Sequence, residues 1–221
     1  MGRCLRCFSI ASVLFASAFS CSGQVQVSQE PRHHKVFENR WVRVLDVHIP
    51  PGDTTMIHKH STPSVFIVLT GTKTGSQVIV EPAELRLTQG NIWFEGFYNK
   101  PRIHRVWNSD TTEFHVMDIE LPNQHPGSID PPLTIQGFTP LLDEKPLRGY
   151  RVSINPGGTI PLGKRKAALL LVKVGKTAGD LSVNGNKLVK AGDHVFIGPG
   201  EDVTLLNKGA AEQELALFEL K

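Results

Sequence analysis

Two histidines, His58 and His60, stand one residue apart in the stretch PPGDTTMIHKHSTPSVFIVLTG, residues 50–71. In an extended strand, residues i and i+2 project to the same face, so both imidazoles point one way and Lys59 the other. Two neutral imidazoles on one face are the beginning of a chelating site, since their nitrogens bind divalent transition ions at about 2 Å. The pair alone does not make a site. With 9 histidines in 221 residues, His-x-His also arises by chance, so a further ligand has to be found.

The elements that would hold the pair repeat along the chain. VRVLDVHIPPGDTTMIHKHSTPSVFIVLTG (42–71) and YRVSINPGGTIPLGKRKAALLLVKVG (150–175) both pass from a strand-like stretch through Pro-Gly into an apolar run that ends at Gly. Later landmarks stay in step: Gly90 answers Gly192, and Asn108 answers Asn207. The offset shrinks slowly from 105 at Pro51-Gly52 to 99 at Asn108, as expected of tandem copies that differ by loop deletions. Both copies read as short strands broken by Gly, Pro, Asn and Asp, with almost no helical periodicity, which predicts an all-β chain of two barrels or sandwiches. The domains are expected at residues 24–121 and 147–221. The Pro- and Gly-rich segment 122–146 between them reads as a linker, lying on a surface through Leu133, Ile135, Phe138, Leu141 and Leu142.

Composition narrows the setting. Charged residues at 20% and hydrophobic ones at 40% fit a globular protein. The net charge of +3 comes without a basic run or aromatic-basic interleaving, so nucleic acid is not an expected partner. Residues 1–23 have the layout of a secretory signal: Arg3 and Arg6, an apolar stretch from Phe8 to Phe19, then small residues. Cleavage after Gly23 is the preferred reading, and a lipoprotein acylated at Cys21 is the competing one. Either way an exported protein without an integral membrane span is expected. All three cysteines (Cys4, Cys7 and Cys21) fall within that segment, so neither disulfides nor thiolate ligands are available to the mature domains.

The first copy resembles the cupin superfamily. That family's first motif runs Gly, five residues, His-x-His, three or four residues, Glu, six residues, Gly, and here Gly52, His58, His60 and Gly71 fit it. Its second motif is resembled by Gly90, Gly96, Pro101, His104 and Asn108, with the His-to-Asn spacing intact and the stretch before His104 three residues longer. The resemblance implies two tandem jelly-roll (double-stranded β-helix) barrels, a bicupin, with the motif strands facing each other across the first barrel. It implies His104 as the missing partner, and so a metal site of His58, His60 and His104. Iron or manganese is the favoured ion; zinc, copper and nickel also suit imidazole ligands.

The fourth position departs from the family. Ser64, or Val65 under the longer spacing, stands where cupins carry glutamate, and neither supplies a carboxylate. Three neutral ligands leave the ion's charge uncompensated and favour an anionic small molecule. In the second copy Gly163, Arg165 and Val203 stand in place of the histidines, and Lys164, Arg165 and Lys166 read as a solvated strand end, so that barrel is expected to be structural.

Other residues carry weaker expectations. His115 reads first as a satisfied core or surface residue, with a place lining the barrel near the ion as the alternative. Glu95, Tyr98 and Lys100 lie in the lengthened loop, at a pocket mouth or in solvent. Phe66 and Trp107 read as core. His34, His48 and His125 lack spacing partners, and His33-His34 reads as a flexible tail. Two function classes remain open, because fold does not fix function. One is a metal-dependent oxygenase or related enzyme acting on a small molecule; the other is a non-enzymatic exported metal or small-ligand binder. A homo-oligomer is compatible with both.

Overall fold

The computed structural model describes residues 24–78, 81–123, 129–175, 177 and 179–221. The expected leader, with its three cysteines, and His125 lie outside the described residues. Apart from one 3-10 turn at Val27–Gln29, the regular structure is strand. The first half contains β1 (Val25–Gln26), β2 (His33–Glu38), β3 (Arg43–Ile49), β4 (His58–His60), β5 (Ser64–Thr70), β6 (Lys73–Val78), β7 (Glu81–Arg86), β8 (Ile92–Glu95), β9 (Arg102–Asn108) and β10 (Phe114–Glu120). The second contains β11 (Phe138–Glu144), β12 (Leu147–Ile154), β13 (Thr159–Lys164), β14 (Ala168–Lys173), β15 (Leu181–Val183), β16 (Asn186–Leu188), β17 (His194–Ile197), β18 (Asp202–Asn207) and β19 (Gln213–Leu220).

Each half is a two-sheet barrel. The first pairs a sheet of order β1-β4-β9-β6-β7 with one of order β2-β3-β10-β5-β8; the second pairs β13-β18-β15-β16 with β11-β12-β19-β14-β17. Strand alternation sorts the core. On β3, Leu45, Val47 and Ile49 turn into the first barrel with Phe114 and Val116. Val44 turns outward with Val65, Ile67, Leu69, Met117 and Ile119, and meets Leu170, Val172, Ala216 and Phe218 of the second half. The sheets that meet are buried on both faces, which is why VFIVLT and ALLLVK are continuous apolar runs rather than alternating ones. The second barrel is filled by Tyr150, Val152, Leu171, Leu181, Leu205, Leu217 and other apolar side chains.

The duplication is exact in register. His58 lies opposite His104 as Gly163 lies opposite Val203, and Glu120 opposite Arg43 as Glu219 opposite Arg148. Asn108 and Asn207 hold the same turn: each side-chain amide donates to a strand-end carbonyl (Ile49 O, Ile154 O) and to a carbonyl four residues on. The segment expected as a linker contributes a strand. Within it β11 pairs with β12 as β2 pairs with β3, so residues 133–146 repeat residues 28–41.

Candidate metal centre

Three histidines come from one sheet of the first barrel. β4 projects His58 and His60 inward, and the antiparallel ladder sets His104 of β9 directly across from His58. All three are buried, and their ring centroids lie 4.6–5.0 Å apart. A fourth imidazole enters from the facing sheet. His33, opposite Val47 on β2, is 8% exposed, with its ring 4.8 Å from that of His58. The expectation of a flexible tail at His33 is therefore corrected: the alternation that buries Val47 buries His33 beside it. The ligand atoms of His33, His58 and His60 lie within 4.8 Å of one another. His33 lacked a His-x-His partner in the sequence, and only strand pairing reveals its neighbours.

Three of the four outer ring nitrogens have hydrogen-bond partners. His58 Nδ1 donates to Met56 O at 2.9 Å, and His33 Nδ1 donates to the Glu30 carboxylate at 2.7 Å. Because those oxygens can only accept, Nε2 of each neutral ring carries a lone pair. His104 Nδ1 meets the Ser76 hydroxyl at 2.8 Å, leaving its buried Nε2 without a partner. His60 Nδ1 lies 3.4 Å from Asp118 Oδ2, an ion-pair contact short of hydrogen-bond geometry, so both oxygens of this buried carboxylate remain unpaired. His58 Nε2 and His60 Nε2 face each other at 3.1 Å. An orphaned, buried Nε2 on His104 beside this close pair of ring nitrogens is what a shared cation resolves, and carboxylates or carbonyls behind the rings are the usual supports of metal-bound histidines. The donor set, imidazole without thiolate, fits a divalent transition ion.

Burial keeps His58 and His104 neutral. Desolvation, aided by the neighbouring His33 and His60, lowers the His58 pKa from 6.5 to about 4. Burial lowers His104 further, with His58 and His60 adding to it. Burial alone would raise the Glu30 carboxyl, but hydrogen bonds from His33 and from the Met56 and Arg32 amides outweigh it and hold it low. Neutral imidazole is the state that binds metal, and the ionised Glu30 carboxylate stands behind His33 as a support.

The imidazoles open onto a cavity of about 160 Å³ whose walls are mostly apolar, among them Val47, Ile49, Phe66, Trp93 and Phe114. Phe66 is a wall of this cavity rather than sealed core, stacked on Trp93 at 5.1 Å. Arg102, across the ladder from His60, also lines it and pairs with Glu95 at 3.0 Å. The lengthened loop places Phe97 against His60, with ring centroids 5.5 Å apart, and the Arg102 guanidinium lies over the Phe97 ring, 5.7 Å from its centroid. Phe97 holds φ at +50°, a left-handed conformation that costs an aromatic residue about 1–3 kcal/mol. The loop fixes this contact against local backbone preference. Tyr98 and Lys100 are exposed.

His115 faces away from the cavity, donating to Asp46 at 2.6 Å and stacking on His48. Several expectations are redrawn. Trp107 covers Gly75 on the barrel's outside; its ring occupies the space of a Cβ at that glycine. Val65 lies in the core between the barrels, which removes it as a ligand position, and the Ser64 hydroxyl donates to Thr62 O. In the second barrel Arg165 is not solvated: it pairs with buried Glu219 at 2.6 Å, while Lys164 and Lys166 are exposed.

No family model matches the chain, and no curated protein matches it in sequence. Solved structures do match it. YhhW from Escherichia coli superposes with a TM-score of 0.60 at 16% identity, over 81% of this chain and 80% of that one. The salicylate 1,2-dioxygenase of Pseudoaminobacter salicylatoxidans gives 0.56 at 13% identity, over 81% and 71%. AerE from Microcystis aeruginosa gives 0.56 at 11%, over 87% and 98%. These likenesses concern the fold, and the fold is that of tandem cupin barrels.

Proposed function

We propose that the first barrel is a metal-dependent small-molecule site of the oxygenase type, with His58, His60 and His104 as ligands. The observation that carries this reading is the convergence of these imidazoles on one cavity, with every outer nitrogen turned to a supporting group. A bound transition ion would supply Lewis acidity and, for a redox-active metal, activation of dioxygen. The chain's own residues do the rest. Phe66, Trp93 and Phe114 exclude water and offer flat apolar faces, and Arg102 offers the cavity a cation for an anionic group. A small aromatic or apolar acid suits that lining. The fold likeness to a dioxygenase that acts on salicylate supports this class without fixing the substrate.

Elemental analysis after anaerobic purification, followed by oxygen uptake of the iron-loaded protein with hydroxybenzoic acids, phenols and thiols, tests the reading. One ion per chain and uptake with one substrate class are expected. No ion, or an unchanged ion content in a His58→Ala/His104→Ala variant, overturns it. One ion with tight ligand binding and no uptake selects a non-enzymatic binder instead.

We also propose that the protein is exported, supported by the Arg3/Arg6 start and apolar run of its leader. N-terminal sequencing from the native host is expected to begin at Gln24. Intact Met1 in the cytoplasm contradicts export, and an acylated Cys21 selects the lipoprotein.

A further inference from the structure

We propose that His33 is a fourth metal ligand, carried in by the N-terminal segment and oriented by Glu30, so that ion capture and docking of residues 25–38 are coupled. The inference rests on the reading of the first barrel as a metal centre. His33 comes from the sheet facing the other three histidines, and its ligand atom is within 4.8 Å of those of His58 and His60.

Its support is tied to theirs through a single residue, Met56. Glu30 takes His33 Nδ1 on one carboxylate oxygen and the Met56 amide on the other, at 3.1 Å, while the Met56 carbonyl takes His58 Nδ1. The orientations of His33 and His58 are thus set by opposite sides of the Met56 residue. The segment also lies along the motif strand itself: β1 pairs in parallel with β4, Val25 beside His58, and Arg32 pairs with Asp53.

The plain alternative is that Glu30 and His33 merely brace a turn. The second barrel answers this from within the same molecule. There Phe138 donates its amide to Ile135 O at 3.1 Å, as His33 donates to Glu30 O at 2.9 Å, and Ser153 reaches Gly137 O as His48 reaches Arg32 O. The same backbone hydrogen bonds close both turns, with Gly137 at φ +89° where the first turn has Arg32, whose amide donates to Glu30, and Ile135 and Phe138 stand in place of Glu30 and His33. Glu30 thus has a share in its own turn, but a turn at this place closes without an imidazole, and bracing does not account for His33. The carboxylate and the imidazole are both present in the barrel that has the histidine motif and absent in the barrel that has Gly163, Arg165 and Val203 instead. That is the distribution of a ligand and its support.

The test compares wild-type protein, His33→Phe and the Glu30→Ile/His33→Phe double variant, whose side chains are those the second barrel uses at these positions. Each is loaded with cobalt(II) and followed by its visible spectrum, by chelator competition and by X-ray absorption, which counts imidazoles. Hydrogen exchange of residues 25–38 is measured with and without cobalt. The expected result is four imidazoles in the wild type and three in His33→Phe, at least about tenfold weaker binding in the variant, and cobalt-dependent protection of 25–38 only in the wild type. Cobalt bound by both with the same affinity and spectrum overturns the assignment of His33 and leaves the metal centre standing. Cobalt bound by neither overturns the metal reading, and this inference with it.

Discussion

His33 and Phe138 occupy the same place in the two halves of the chain, the first opposite Val47 and the second opposite Val152. Four further positions differ in the same sense. His58, His60, His104 and Asp118 of the first barrel correspond to Gly163, Arg165, Val203 and Leu217 of the second. One barrel gathers buried polar groups around a cavity; the other closes the same space with apolar side chains and an ion pair. Burying unpaired polar groups is expensive, so their concentration in one of two matching barrels marks where the chemistry is.

Asp118 gives the most direct check on the groups behind the ligands. Its carboxylate is buried, lacks a hydrogen bond, and faces His60 Nδ1 at 3.4 Å. It also contributes to raising the pKa of neighbouring Glu120, behind burial itself. Asp118→Asn should weaken metal binding about 10–100-fold with the stoichiometry still one ion per chain. Asp118→Leu, copying Leu217, should raise the unfolding temperature of the metal-free protein while binding metal as poorly. Chelator competition and thermal unfolding read the two effects. Unchanged affinity in both variants means that Asp118 does not support His60.

Asn108 belongs to the motif by spacing but to the scaffold by contact. Its amide donates to Ile49 O at 2.9 Å and Thr112 O at 2.7 Å, and Asn207 repeats the arrangement in a barrel without ligands. Asn108→Ala and Asn207→Ala should therefore each cost about 2–3 kcal/mol of stability, through carbonyls left unpaired. Neither should lower the number of ions bound by folded protein. Denaturant titration and metal analysis suffice. A loss of metal confined to folded Asn108→Ala would make the residue part of the site.

Much of this was legible in the sequence, and the reasons differ by residue. His58, His60 and the two-barrel duplication follow from local spacing and from landmarks that repeat, and His104 from the resemblance to the cupin motifs, all of which survive in one dimension. His33 does not: it reaches the site through pairing with β3, and its support by Glu30 and Met56 joins segments more than twenty residues apart. The same holds for β11, whose Pro-rich surroundings read as a linker although its register with β12 repeats that of β2 with β3. Trp107 reads as core by its type but covers the outside of the barrel. A strand's period says which residues share a side, but the barrel decides which side is in.

The neutral, buried imidazoles also set the acid limit of the metal-free protein. His58 titrates near 4 when folded and near 6.5 when unfolded, because burial disfavours its charge. Between those values the unfolded chain binds the extra proton, so stability is full above pH 6.5 and falls as pH drops toward 4. The difference is on the order of 3 kcal/mol for this ring, and His104 shifts in the same direction. His48 works the other way. Its hydrogen bond to Asp46 raises its pKa, so its contribution is present below 6.5 and lost as pH rises. The depressed carboxyls Asp46 and Glu30 matter only lower, as pH falls below their ordinary values near 4. Urea unfolding of chelator-treated protein at pH 7 and pH 5 therefore reads the histidines together with buried Glu120, whose raised carboxyl opposes the loss and is common to the wild type and the variant. The midpoint should fall on acidification, and fall further in His48→Ala, where the opposing contribution is gone. A midpoint that is flat in both proteins would mean that the site's imidazoles are already hydrated without metal, and that burial does not hold them neutral.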